Sequence, residues 1–149
     1  MTTNLIADTN EWFNLARPNP TVENFNVQLG VHVEEFSEML EQLSSEHKET
    51  RELLVTTLTL AKMLAEQLKA GRGQCSIINR KLFLDAMTDQ IVTSIGTSNH
   101  AGLDGVNALG EVNRSNWSKF KNGHPVFKDN GKIGKNPDTY SEANLSPYI

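Results

Sequence analysis

The stretch Val22–Leu40 reads VENFNVQLGVHVEEFSEML, and it decides the fold class of this chain. Its apolar residues recur at the spacing of one helical face, at Phe25, Leu29, Phe36 and Leu40. Thr21, directly before the stretch, is a favourable N-cap. We therefore expect a long helix from about Val22 to Ser44.

Similar patterns predict four further helices, separated by glycine- and proline-containing segments. The expected ranges are about Asp8 or Thr9 to Ala16, Glu49 to Ala70, Ser76 to Asn99, and a helix capped by Asp104 that ends near Lys121. Glycines and prolines recur through residues 122–149, which predicts an irregular C-terminal arm. The sequence thus predicts one all-α domain over residues 1–149. It would be a bundle of four to five helices with its core in about residues 22–121.

Composition limits the class of protein. The chain has 149 residues, of which 38% are hydrophobic and 21% charged, and its formal net charge is −4. This balance argues against nonspecific nucleic-acid binding, and no apolar run is long enough for a membrane helix. The single Cys75 excludes an internal disulfide and is typical of a reducing compartment. We expect a cytoplasmic protein with neither a nucleic-acid nor a membrane partner.

Two pairs of acidic residues suggest a metal site. Glu35 and Glu38 are three residues apart on one predicted helix, and Asp85 and Asp89 are four apart on another. Residues at these spacings share a helical face. Carboxylates that meet in an apolar setting repel one another unless a cation lies among them, and oxygen ligands favour Mg²⁺ or Mn²⁺ over zinc. We expect two or more such ions per site.

The acidic residues have two other interpretations. A di-iron bundle requires Glu-x-x-His motifs, and none of the four histidines follows a glutamate at that spacing. The second alternative stays open: charge runs on helices are commonly solvated faces. The protein would then be a non-catalytic helical protein that binds a partner.

The C-terminal part supplies cations for a phosphate ligand. Asn116 and Lys119 share one face of the fifth predicted helix, which also carries Arg114, while Lys132 and Lys135 lie in the arm. A polyphosphate needs cationic and amide donors of this kind. On the first acidic helix, Gln28 is a candidate for hydrogen bonding to a base edge. Three aromatic residues are candidates for stacking on a base or for core packing: Trp12, Phe13 and Trp117.

With these residues identified, the chain resembles the all-α nucleoside triphosphate pyrophosphohydrolases. This superfamily includes MazG-like proteins, dimeric dUTPases and phosphoribosyl-ATP pyrophosphohydrolases. The similar blocks are Glu34–Glu38, Asp85–Asp89, Glu111–Lys119 and Gly131–Lys135. They cover roughly residues 22–149 and are most similar to small members common in bacteriophages. The helix near Glu49–Ala70 separates the first two blocks further than in compact members, as an insertion or a dimer-forming element.

The resemblance implies an activity and residue roles. The activity is Mg²⁺-dependent hydrolysis of a nucleoside triphosphate between its α and β phosphates, with a purine deoxynucleotide such as dGTP as first candidate. Glu35, Glu38 and Asp89 match the metal carboxylates of the family, and Glu34 matches the acid that orients or deprotonates the attacking water. Ala86 stands where the family usually has Glu, so Asp85 is the substitute ligand. The resemblance also implies a homodimer or homotetramer, working in the host cytoplasm if the chain is of phage origin.

Overall fold

A computed structural model describes residues 4–128 and 132–149 of the chain. Within these residues the protein is all-helical. The helices are α1 (Leu5–Ala16), α2 (Val22–Glu41), α3 (Lys48–Lys69), α4 (Arg80–His100) and α5 (Gly105–Trp117), followed by a short 3-10 helix at Ser146–Tyr148. The described residues form only isolated β-bridges outside these helices, at Lys121–His124 and Phe127–Ile133. The predicted all-α class with five helices is confirmed.

Capping side chains explain where the helices begin. The predicted caps Thr21 and Asp104 both accept a hydrogen bond from the backbone of their helix, at Asn24 and Asn107. The first and fourth helices were placed wrongly, because Asn4 and Asn79 act as the caps. Helix α1 therefore begins at Leu5 rather than near Asp8, and α4 begins at Arg80 rather than at Ser76.

Two helices are shorter than predicted. Helix α2 ends at Glu41 instead of Ser44, and α5 ends at Trp117 instead of Lys121. Lys121 pairs with His124 in a tight turn, in which Asn122 and Gly123 both have positive φ. Asn-Gly is the dipeptide best suited to such a turn, and its backbone cannot continue a helix.

The described chain divides into two compact units, and each is described by itself. One unit is Asn19–Ser76, and the other combines Met1–Pro18 with Ile77–Ile149. In the first unit α2 packs against α3 as a hairpin. Small side chains line the contact, with Ser37, Ala61 and Ala65 all buried. A Cβ atom added at Gly30 would lie only 3.0 Å from the carbonyl oxygen of Ala65, so this position requires glycine for the helices to approach.

A buried asparagine, Asn26, links the two ends of the hairpin unit by hydrogen bonds. The Asn26 side chain is 2% exposed, and its amide group donates to the carbonyl of Val22. Its Oδ1 atom accepts a hydrogen bond of 2.6 Å from the backbone N–H of Cys75. The segment after α3 is thereby joined to the first turn of α2.

In the second unit α1 packs on α5 around an aromatic cluster. Trp12, Ala16 and Phe120 are buried, and Trp117 and Ile133 pack against them. The rings of Trp12 and Phe120 stack with centroids 5.7 Å apart. We expected residues 122–149 to stay outside the core, which is wrong for Ile133 and for the buried Asn136.

Hydrogen bonds of polar side chains also hold α1 against α5. Asn113 is buried, donates to the carbonyl of Leu5 and accepts from the Thr9 hydroxyl, each at 2.9 Å. The indole of Trp117 donates to Asp8 at 2.9 Å. These directed contacts set the register of the two helices, since each buried polar group needs its own partner.

Helix α4 has a different environment within the second unit. None of its residues is buried, and of the helices that the structure describes in this unit it packs against α5. Leu82, Leu84 and Val92 are more than 60% exposed. Among the helices of the described residues, none has the length and apolar character needed to cross a membrane.

Candidate functional site

The three glutamates of the first acidic block differ in their surroundings. Glu34 is half-buried and forms an ion pair with Lys69 of α3, whereas Glu35 and Glu38 are exposed. Successive helical residues are about 100° apart, so only one of two neighbours can face α3. Of the three glutamates, only Glu34 faces α3.

Lys69 connects two carboxylates. Its ammonium contacts Glu34 and lies 2.7 Å from Glu66, and the Lys69 side chain is only 14% exposed. Burial by itself lowers the pKa of Lys69, but the hydrogen bonds that its ammonium donates to Glu34 and Glu66, with the negative charges of these carboxylates, outweigh burial and raise the pKa above 10.5. Lys69 therefore stays charged and orients the Glu34 carboxylate.

The aspartate pair lies in the N-terminal half of α4. Asp85 and Asp89 are both exposed. The backbone carbonyls of the two residues accept hydrogen bonds from Thr88 and Thr93. The predicted sharing of one helical face follows from the unbroken helix around them.

The two acidic pairs belong to different compact units. Glu35 and Glu38 lie in Asn19–Ser76, and Asp85 and Asp89 lie in the other unit. Over residues 4–128 and 132–149, no three His, Cys, Asp or Glu side chains form a group that could hold a metal ion. The joining of both pairs around Mg²⁺ stays a prediction.

The predicted phosphate-binding pair of Asn116 and Lys119 is in contact, although Lys119 lies just beyond the end of α5 at Trp117 and not on its face. The Lys119 ammonium donates to the Asn116 side-chain oxygen at 2.7 Å, and it lies 5.9 Å from the centroid of the Trp12 ring. Both side chains are half-buried. The Trp12 indole donates to the Asn116 carbonyl at 3.0 Å, so this aromatic residue supports α5 from the core.

Arg114 has a structural partner that the sequence analysis missed. Its guanidinium makes two hydrogen bonds to Glu111, of 2.8 and 2.7 Å, and a third to the carbonyl of Glu142. Glu111 also accepts from the backbone N–H of Asn144. The Arg114 hydrogen bonds, and then that of Asn144, lower the pKa of Glu111 to about 2. The Glu-x-x-Arg spacing signalled the ion pair, but the arm contacts are not local in sequence.

The remaining predicted substrate residues are Lys135, Lys132 and Gln28. Lys135 has its ammonium 4.7 Å from the Tyr140 ring centroid, and a hydrogen bond to Tyr140 raises the pKa of Lys135. Lys132 is half-buried, and its carbonyl accepts from the Lys128 N–H at 2.8 Å. Gln28 is exposed on α2. Gly131, part of the predicted arm motif, lies outside the described residues.

A cavity of about 370 Å³ lies where α4 turns into α5. It is lined by residues on both sides of the turn, including Ile95, Asn99, Asp104 and Val106. The cavity contains none of the predicted site residues. Asp104, one of these lining residues, caps α5: its carboxylate accepts a hydrogen bond from the Asn107 N–H.

Comparison with known proteins adds no assignment. The chain matches no family model, and it has no significant match among curated proteins or among solved structures.

Proposed function

We propose that this protein is a metal-dependent nucleoside triphosphate pyrophosphohydrolase. It would hydrolyse an NTP or dNTP between the α and β phosphates, releasing a nucleoside monophosphate and pyrophosphate, with dGTP as the first substrate to test. One observation carries the proposal: Glu35 with Glu38, and Asp85 with Asp89, each occupy one face of an unbroken helix and are exposed to solvent. Such pairs can present oxygen ligands to a divalent cation.

The four acids would hold two or more Mg²⁺ or Mn²⁺ ions. The ions would neutralise the phosphate charge and lower the pKa of a bound water. Glu34 would take the proton of that water, in the orientation that Lys69 gives its carboxylate. The proposal requires the pairs on α2 and α4 to come together, either within one chain or between chains.

Cationic and amide groups would bind the phosphates. The Lys119–Asn116 contact presents one ammonium and one amide from adjacent turns of the chain. Lys132 and Lys135 would approach the leaving pyrophosphate from the arm, and Gln28 would contact the base. Arg114 is already engaged by Glu111, so in this proposal it holds the arm in place and contacts phosphate only secondarily.

The cellular setting belongs to the same proposal. The enzyme would be a homodimer or homotetramer without a nucleic-acid or membrane partner. It would work in the cytoplasm, which is that of the host if the chain comes from a phage.

The alternative is a non-catalytic helical protein that binds a partner. It is supported by the exposed apolar residues of α4, since leucines more than 60% exposed are typical of a surface that another protein covers. In that case the acids are a solvated face that binds no metal.

Metal binding separates the two proposals. We expect Mn²⁺ titration by calorimetry to show binding to the wild type and at least about 10-fold weaker binding to Glu38→Gln and Asp89→Asn. Glu11→Gln is the matched control, because Glu11 is an exposed helical acid outside the site. An absence of Mn²⁺ binding to the wild type would overturn the enzyme proposal and favour the alternative.

A further inference from the structure

The turn that follows α5 contains an asparagine directly before a glycine. Asn122 and Gly123 are both exposed, and their φ angles are positive, at 52° and 77°. The flanking residues make the hydrogen bonds of the turn: the Lys121 N–H donates to the His124 carbonyl at 2.9 Å, and the His124 N–H donates to the Lys121 carbonyl at 3.0 Å. Asn122 and Gly123 therefore form the tip of an exposed two-residue turn.

The polar groups at this tip are free to react. Within residues 4–128 and 132–149, the Asn122 carboxamide makes no hydrogen bond, and neither does the Gly123 N–H. A Cβ atom added at Gly123 would meet nothing within 4 Å. The Asn122 side chain and the amide nitrogen that follows it are thus exposed, unpaired and unobstructed.

We propose that Asn122 is a modification site, at which the carboxamide is converted to a carboxylate by the chain itself and water. The Gly123 nitrogen attacks the Asn122 Cγ atom, and the new N–Cγ bond closes a cyclic succinimide. The Cγ–Nδ2 bond breaks, and the side-chain nitrogen leaves as ammonia with the proton that the Gly123 nitrogen gives up. Glycine favours this attack because it has no Cβ atom to crowd the nitrogen.

Water completes the conversion by opening the succinimide. Hydrolysis of the N–Cγ bond gives aspartate, whereas hydrolysis of the bond between the nitrogen and the backbone carbonyl carbon gives isoaspartate. Either product adds a negative charge at the tip. Isoaspartate also lengthens the main chain by one atom between Lys121 and Gly123, so the turn loses the geometry of its hydrogen bonds to His124. The modification would change both the charge and the backbone at the start of the C-terminal arm.

The turn gives the reaction access to the geometry it needs. Ring closure requires the Gly123 nitrogen to approach the Asn122 side chain, which a closed turn restrains. All residues of the turn are exposed, from Lys121 to His124, and their backbone hydrogen bonds are open to water. Exposed backbone hydrogen bonds without buried apolar contacts open locally at low free-energy cost.

Other asparagines have restraints that Asn122 lacks. Asn26 and Asn113 are buried, and their side chains are hydrogen-bonded. The Asn79 side chain caps α4. Asn136 precedes a proline, which has no N–H to lose. We therefore expect the conversion at Asn122 and not at these positions. This inference does not depend on the proposed catalytic role.

Tryptic peptide mapping by mass spectrometry, on the full folded chain aged at neutral pH, tests the site. Cleavage after Lys121 and Lys128 gives a peptide whose only asparagine is Asn122. The second Asn-Gly dipeptide, at Asn130, lies outside the described residues and falls in a different peptide. We expect the Asn122 peptide to gain the mass that accompanies exchange of NH for O. The gain should be at least about 10-fold faster than in the peptide Leu82–Arg114, whose asparagines all lie within α4 or α5.

Asn122→Gln is the matched control. Glutamine keeps an exposed carboxamide, but its longer side chain would have to close a larger ring, so we expect its peptide to keep its mass over the same period. The wild-type chain unfolded in urea gives the reference rate for the same dipeptide without the fold. A wild-type peptide that stays unchanged in the folded chain while it converts in urea would overturn the proposal, as would an equal mass gain in Asn122→Gln.

Discussion

Glu34 and Lys69 form an ion pair across the α2–α3 hairpin, beside the close approach of the helices at Gly30. The neighbouring Glu35 lies on a different face of α2 and is exposed. Two adjacent glutamates are thus in different environments, because a helix turns by about 100° between them. In the proposed mechanism this gives Glu34 a fixed orientation and leaves cation binding to Glu35.

We predict that Lys69→Met lowers the free energy of unfolding by about 1–2 kcal/mol, because it removes the ammonium that pairs with Glu34 and Glu66 in a largely buried position. Urea unfolding at pH 7 measures this. Lys62→Met is the control: the Lys62 side chain is 49% exposed, and its pair with Glu41 is worth less than about 0.5 kcal/mol. Equal losses in both variants would contradict the assigned role of Lys69.

The pKa of Lys69 gives this difference a pH dependence. A raised folded-state pKa contributes stability that is fully present below the unfolded value of 10.5 and is lost as the pH rises through the folded value. The stability difference between wild type and Lys69→Met should therefore be constant from about pH 6 to 9 and should shrink only above about pH 10.5. A difference that stays unchanged as the pH rises well above 10.5 would contradict a raised pKa of Lys69.

Two helical glycines should respond oppositely to the same substitution. We predict that Gly30→Ala destabilises the protein by about 1–3 kcal/mol, because its Cβ would lie 2.9 Å from the Lys69 Cγ and 3.0 Å from the Ala65 carbonyl. Gly96→Ala in α4 meets no atom within 4 Å, so it should stabilise by about 0.5–1 kcal/mol through helix propensity. Thermal unfolding of both variants measures the contrast. Stabilisation by Gly30→Ala would exclude the close helix contact.

Replacing Asn113, the buried asparagine between α1 and α5, should also lower the free energy of unfolding. Asn113→Ala removes the hydrogen bonds to Thr9 and to the Leu5 carbonyl, at a cost of about 1–3 kcal/mol. Urea unfolding followed by tryptophan fluorescence is suited to this, since Trp12 and Trp117 lie at the same interface. Asn10→Ala, at an exposed position of α1, should change stability by less than about 0.5 kcal/mol. No difference between the two variants would mean that Asn113 does not join the helices.

We expect the contribution of Glu111 to folding stability to disappear at low pH. Its folded-state pKa is lowered from 4.5 to about 2, so its stabilisation is present above the unfolded value and is lost as the pH falls through the folded value. We predict that Glu111→Gln lowers Tm at pH 7 and that the difference from wild type narrows between about pH 4.5 and 2. Glu142→Gln, in the C-terminal arm that Glu111 contacts through Asn144, is the control and should change Tm little. A Glu111→Gln difference independent of pH would contradict the Arg114 and Asn144 contacts.

Local signals explain which parts of the fold could be predicted. Thr21 and Asp104 were identified as caps because a cap acts on N–H groups within three residues of it. The start of α4 was missed because Ser76 and Asn79 are both good caps, and residues near them in sequence do not decide between the two. Asn79 accepts from two backbone N–H groups, which favours it in the folded chain.

Burial was harder to predict, because it depends on contacts that are distant in sequence. Periodicity correctly placed Asp85 and Asp89 on one helical face, but it could not show that α4 has no buried residue. Ile133 likewise packs against a cluster that contains Trp12, which lies more than a hundred positions earlier in the sequence. Such contacts leave no pattern in a single sequence.

Pyrophosphate release from a panel of NTPs and dNTPs, with Mg²⁺ or Mn²⁺, tests the central claim most directly. We predict release from one or two nucleotides together with the monophosphate, abolished by chelation of the metal and reduced at least about 100-fold by Asp89→Asn. Glu11→Gln should retain the wild-type rate. Absence of pyrophosphate release from every nucleotide by the wild type, or undiminished release by Asp89→Asn, would contradict the account.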